Sequence, residues 1–208
     1  ARWKGLLDKL LPAPGKVTKT THFQALPYAQ LPVFMEQLVG QEGMGAKALL
    51  FLILTAARSG EVRGATWDEI DLAARVWTIP GERMKASKAH RVPLSDAVIA
   101  LLEEMKALAL AAGRTTGKAY VFPSPNSRDP ELGSALSDMT LTAVLRRLKL
   151  EAVPHGFRST FRDWCAEQTD YPNEVAEMAL AHAVGNKVEA AYRRGDLLAK
   201  RQQLMQDW

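Results

Sequence analysis

The run from Ala48 to Ala57 holds ten residues, and only Thr55 among them is polar. A helix with no polar stripe has no face to give to water, so it must be covered on every side. A membrane span needs about 20 such residues, so this run is too short to be one. It predicts a buried helix over Met44–Ala57 around which the rest of the chain is wrapped. The 208 residues have enough volume for such a core. With 47% hydrophobic and 24% charged residues, the composition excludes disordered, collagen-like and coiled-coil classes.

Around that helix, periodicity predicts a helix from Leu31 or Pro32 to Val39 and a short one near Val62–Ala65 capped by Ser59. Short strands are expected at Trp67–Leu72, Arg75–Pro80 and His90–Leu94. A helix capped by Ser95 or Asp96 should run to Ala112, with Val98, Leu101, Leu102, Met105 and Leu108 at core spacing. Another, capped by Ser137 or Asp138, presents Leu141, Val144, Leu145 and Leu148. Helices follow at 156–169, 173–183 and 186–194, then an amphipathic tail helix from about Leu197. The expected fold class is mainly α with one small antiparallel β-sheet (α+β).

Charge is unevenly placed. Lys and Arg number 27 against 23 Asp and Glu, for a net charge of +4. Residues 1–26, 75–91 and 142–162 each carry five Lys or Arg against a single acid. Basic patches on a balanced body point to a polyanion, nucleic acid first; solvated surface cations are the other reading of the same charges. One cysteine, Cys165, rules out a disulfide framework or a multi-cysteine metal site. Its mid-helix setting beside Trp164 reads as a small core residue rather than a nucleophile. The segment Gly113–Lys118 falls short of a phosphate-binding loop: three residues separate its glycines, and Ala119 replaces the hydroxyl residue. There is no HExxH and no carboxylate cluster for a two-metal site, so neither metal nor cofactor is expected. The first residues lack a secretory signal, and no membrane partner is expected.

Some residues invite chemistry. Arg58 directly follows the apolar helix, where a charge needs a partner, and Glu61 three residues on is a natural one. On a helix at 100° per residue, His155, Arg158 and Arg162 fall within roughly 60° of one another, while Phe157, Phe161 and Cys165 take another arc. That edge suits a phosphate, because arginine offers a planar fork of donors. His182, at a helix end, and Tyr192 each read as packing residues when taken alone. Lys85, Lys88 and Arg91 surround a predicted hairpin turn, where a lysine can reach a phosphate or give up a proton.

Taken in order, Arg58, Lys85, His155-x-x-Arg158, His182 and Tyr192 resemble the active-site series of the tyrosine recombinase (phage integrase) family. Thr55-Ala56-Ala57-Arg58-Ser59-Gly60-Glu61 is similar to that family's first-arginine box, and His155-Gly156-Phe157-Arg158 to its second. Leu180-Ala181-His182 departs from the family's Leu-Gly-His at Ala181. The stretch from Arg83 to Leu94 is most similar to prophage and genomic-island integrases. The resemblance covers residues 27–195. It implies a catalytic domain there, a basic linker from an amino-terminal DNA-binding region at 1–26, and a tail helix at 196–208. The tail is expected to dock on a neighbouring protomer, with packing in cis as the alternative.

The resemblance implies a site-specific recombinase that cuts and rejoins DNA for integration or excision of a mobile element. Arg58, Arg158 and His182 would hold the phosphate and Tyr192 would attack it. His155 would take the tyrosine proton, Lys85 (or Lys88) would protonate the leaving 5′-oxygen, and Glu61 would orient Arg58. Lys88, Arg91, Arg146, Arg147 and Arg162 are the expected DNA contacts. Double-stranded attachment sites, a homo-tetramer on DNA from a free monomer, excisionase or DNA-bending proteins, and a cytoplasmic, nucleoid-associated location follow from the same likeness. A topoisomerase-like nick-closing enzyme of type IB, or a catalytically silent DNA-binding module of this fold, are the alternatives.

Overall fold

The computed structural model describes residues 24–182 and 195–208. Helix α1 (Leu31–Val39) is followed by α2 (Met44–Thr55), the central apolar helix. Ala48, Leu49, Phe51, Leu52 and Ile53 of α2 are all essentially inaccessible to solvent. The helix stops two residues short of the expected Ala57, because Ala56 turns into the left-handed region at φ 49°. A short α3 (Ser59–Arg63) follows, with Arg58 rather than Ser59 at its cap.

Strands β1 (Ile70–Asp71), β2 (Val76–Ile79) and β3 (His90–Pro93) form an antiparallel sheet in chain order. Trp77 lies opposite Val92, and Ile79 opposite His90. The first strand is shorter than expected. The backbone N–H groups of Trp67 and Asp68 go to the carbonyls of Ala119 and Gly117, so Trp67–Glu69 makes a 3-10 turn instead of a ladder. The buried Trp77 packs on Phe51 of α2, ring centres 5.1 Å apart, and donates its indole N–H to Glu69.

Helix α4 (Asp96–Ala111) and helix α5 (Thr140–Arg147) close over α2 from other sides. Helices α6 (Gly156–Gln168) and α7 (Asn173–Ala179) build a second cluster from Phe161, Cys165, Val175, Ala176 and Leu180. The carboxy-terminal helix α8 (Leu198–Asp207) completes it with Leu204 and Met205. The expected helix at 186–194 lies outside the described residues.

The tail packs on the chain's own core. Trp208 stacks edge-on against Phe161 at 5.2 Å and donates its indole N–H to the Ile53 carbonyl. Arg201 is buried and donates to the carbonyls of Arg91 and Asp196, with its other nitrogen on the Asp196 carboxylate at 2.9 Å. Burying those apolar side chains on the chain's own core is favourable without a second protomer.

Candidate active site

The site forms where the carboxyl ends of α2 and α7 meet the start of α6. Both helices end in a left-handed alanine: Ala56 at φ 49° and Ala181 at φ 50°. After α7 the pattern is a Schellman ending, with the N–H of His182 on the Glu177 carbonyl and that of Ala181 on the Met178 carbonyl. The residue at the turn must take positive φ, which glycine does without strain. That explains why glycine is usual where this chain has Ala181.

Two of the carbonyls left over at these helix ends receive Arg158. Its guanidinium donates to the Ala56 carbonyl at 2.5 Å and to the Leu180 carbonyl. Helix carboxyl ends carry partial negative charge and suit a cation. Arg158 therefore does not sit on a solvated helix edge as its spacing suggested: it drops between two helix ends and is only 4% exposed. Among the described residues no carboxylate pairs with it. Burial and then the charge of Arg58 push its pKa down to about 10, so it stays cationic at neutral pH. Its Nε is buried with no acceptor among the described residues.

The start of α6 is fixed by a close crossing. A Cβ on Gly156 would lie 2.2 Å from the Gln24 carbonyl oxygen. Thr160, one turn on, donates to the Leu26 carbonyl at 2.6 Å. Only glycine lets segment 24–26 press against the helix that carries Arg158.

Arg58 approaches from the other side. The Glu61 carboxylate is buried and accepts both the Arg58 backbone N–H (2.8 Å) and its guanidinium (2.7 Å). One carboxylate thus caps α3 and aims the side chain. Among the described residues the second terminal nitrogen of Arg58 has only long contacts, 3.4 Å to the Leu180 carbonyl and 3.5 Å to that of Ala181. At such distances it is weakly committed.

His182 joins the cluster through both ring nitrogens. Nε2 lies 3.1 Å from an Arg158 terminal nitrogen, and Nδ1 lies 2.8 Å from Glu177. His155 precedes α6 and feels the same charges. Burial and the nearby Arg158, Arg58 and His182 hold its imidazole below the usual range, so it is neutral at pH 7. A neutral imidazole can accept a proton.

The structure therefore brings together Arg58, Glu61, His155, Arg158 and His182. Lys85 and Lys88 are exposed in the turn before β3 and make no hydrogen bond or ion pair among the described residues. Arg146 and Arg147 are exposed in the last turn of α5. Tyr192 lies outside the described residues.

Two of the expected DNA contacts make ion pairs within the chain. Arg91 forms a two-pronged pair with Asp196, both contacts at 2.8 Å. Arg162 donates to Glu177 at 2.6 Å and to the Asn173 side chain. Each points at a carboxylate of its own chain because α8 and α7 pack beside it.

Glu177 is the residue that sequence reasoning missed, and an acid on a short helix gives no pattern to find it by. His90 opens β3 and lies beside the same cluster. Its burial beside Arg201 and Arg58 pushes its pKa down to about 4, partly offset by Glu61 and a hydrogen bond with the Ala179 backbone. Cys165 is buried and its thiol is pushed up to about 12, so it is inert. Among the described residues no helix is long and apolar enough to cross a membrane, and no group of three His, Cys, Asp or Glu is placed to hold a metal.

Comparison with known proteins supports the resemblance noted above. The prophage integrase IntA of Escherichia coli K12 is 37% identical over 183 residues, covering 86% of this chain and 42% of that protein. The integrase of Enterobacteria phage P4 is 31% identical over 210 residues, covering 92% and 46%. This chain thus spans about half the length of the curated relatives it matches. Among solved structures, the integrase from mycobacterium phage Brujita superposes with a TM-score of 0.64 at 15% identity, over 91% of this chain and 59% of that one. The Tn1549 transposon integrase in complex with transposon right end DNA gives 0.58 at 16% identity, over 93% and 70%. At those identities the likeness establishes a shared fold, the mainly α domain with its small sheet. The Phage integrase family model matches residues 28–197, the stretch that carries every element of the site, and the chain belongs to that family.

Proposed function

We propose that this chain is the strand-cutting and strand-joining part of a site-specific DNA recombinase that integrates or excises a mobile element. The observation that carries the reading is the meeting of Arg58, Arg158 and His182 at one point, two of them on a single carbonyl. Two preorganised guanidiniums and an imidazole suit the extra negative charge of a pentacovalent phosphate.

The chemistry runs on the chain's own side chains. The Tyr192 hydroxyl attacks the phosphorus, its proton passes to His155, and the bond to the 5′-oxygen breaks. Lys85, or Lys88 from the same turn, gives that oxygen a proton. The product is a 3′-phosphotyrosyl ester and a free 5′-hydroxyl. Because the ester keeps the energy of the original bond, a 5′-hydroxyl from another strand can displace the tyrosine without ATP. Arg58 and Arg158 hold the non-bridging oxygens throughout, and Lys88, Arg146 and Arg147 meet the flanking backbone. The partners are double-stranded attachment sites, further copies of the chain in a tetramer on DNA, and accessory bending proteins, all in the cytoplasm.

The test is strand exchange between two duplexes that carry the junctions of the element encoding the chain. Joined recombinants should form without ATP. Cleaved ends that never rejoin, or no reaction with the full-length protein, would count against the reading.

A further inference from the structure

Arg162 was expected on DNA, yet it faces inward to a carboxylate that itself faces a histidine of the site. The contacts form a chain: Arg162 Nε donates to Glu177 Oε1 at 2.6 Å, Glu177 Oε2 meets His182 Nδ1 at 2.8 Å, and His182 Nε2 meets Arg158 at 3.1 Å. Asn173 holds the far end through the other side of Arg162. The Schellman ending adds a backbone tie, since the His182 N–H also bonds the Glu177 carbonyl at 2.9 Å. His182 is thus fixed to Glu177 at two points, and the ring has little freedom to turn.

A carboxylate has acceptors only, so the nitrogen facing it must carry the hydrogen. That assigns Nδ1–H to His182. Burial works to raise the Glu177 carboxyl, but hydrogen bonds from Arg162 and His182 outweigh it and keep the group ionised at neutral pH. Nε2 is then left facing the site. In the neutral ring it accepts from Arg158.

We propose that Glu177 is a positioning residue for His182. It fixes the ring's tautomer so that Nε2 is turned to Arg158 and the phosphate, and Arg162 serves to hold Glu177 rather than DNA. The consequence for the reaction rests on the recombinase reading given above; the tautomer does not. Metal-binding histidines are held by carboxylates in the same manner, and losing the holder there typically costs about 10- to 100-fold.

The variant Glu177→Gln separates the possibilities. Arg162 keeps its grip on the side-chain oxygen, so the amide N–H₂ is turned to His182 Nδ1. The ring must then move its hydrogen to Nε2, against the Arg158 N–H. Imidazole ¹⁵N shifts of the whole chain, without DNA, read this directly; the His182 signals are those lost in His182→Gln. The expected results are Nδ1–H in the wild type, Nε2–H or a mixture in Glu177→Gln, and cleavage about 10- to 100-fold slower with DNA affinity unchanged. Arg162→Gln, which frees Glu177 without altering it, should slow cleavage in the same direction. Identical ¹⁵N shifts in wild type and Glu177→Gln, or wild-type cleavage in both variants, would overturn the proposal. A shifted tautomer in a protein that cleaves no DNA would leave the positioning intact and sink the recombinase reading instead.

Discussion

Arg58 and Arg158 lie far apart in the chain and donate to the same oxygen, the Leu180 carbonyl. One arrives by a carboxylate-capped turn and the other by a helix pressed against segment 24–26. Two cations brought this close repel each other, and after burial that repulsion is what depresses the Arg158 pKa. An anion between them would relieve the repulsion, which is how a folded protein stores affinity for a phosphate.

If both guanidiniums hold one phosphate, their contributions are not independent. Arg58→Ala and Arg158→Ala should each slow single-turnover cleavage by about 10²- to 10³-fold. The double variant should fall well short of the product of the two, because groups that act as a unit are non-additive. A strictly multiplicative double variant would mean two separate sites.

The tail is held by a second shared carboxylate. Asp196 pairs with Arg91 of β3 and with the buried Arg201 of α8. Asp196→Ala leaves Arg201 buried without its counterion, which costs on the order of 3 kcal/mol. Denaturant melts should show that loss, and amide exchange over Leu198–Asp207 should rise. Since Asp196 follows Tyr192 by four positions, cleavage should fall as well. Unchanged exchange in the tail would show that Trp208 and Leu204 hold it alone.

His90 sets a pH dependence. Its folded pKa of about 4 lies below the ordinary 6.5, so between those values the unfolded chain binds the extra proton and the folded one does not. Stability is therefore fully present above pH 6.5, falls as the pH drops toward 4, and levels off below it. The His90 share is roughly 3 kcal/mol at most. Unfolding free energies across this range should fall less steeply in His90→Gln than in the wild type, with His155 supplying a remainder of the same sign. Parallel curves would place the acid sensitivity elsewhere.

Much of this was legible in the residues. The apolar run announced α2, and the aromatic spacing of Phe157 and Phe161 announced α6. The order of Arg58, His155, Arg158 and His182 announced the family. What stayed hidden depends on which element packs beside which. Arg158 looked solvent-facing because its helix phase says nothing of the two helix ends that receive it. Arg162 and Arg91 looked like free cations because Glu177 and Asp196 belong to elements that reach them only in the fold. Trp67–Leu72 has the pattern of one strand, but carbonyls of a distant segment, those of Ala119 and Gly117, claim the N–H groups of Trp67 and Asp68.

The central claim is that a phosphate held by Arg58 and Arg158 is attacked by Tyr192. A nicked duplex that loses its 5′-hydroxyl fragment on cleavage traps the covalent intermediate, and mass spectrometry of the digested adduct names the residue. The account predicts a nucleotide on the peptide containing Tyr192, absent from Tyr192→Phe, which should still bind DNA. An adduct on another residue, or one that persists in Tyr192→Phe, would contradict it.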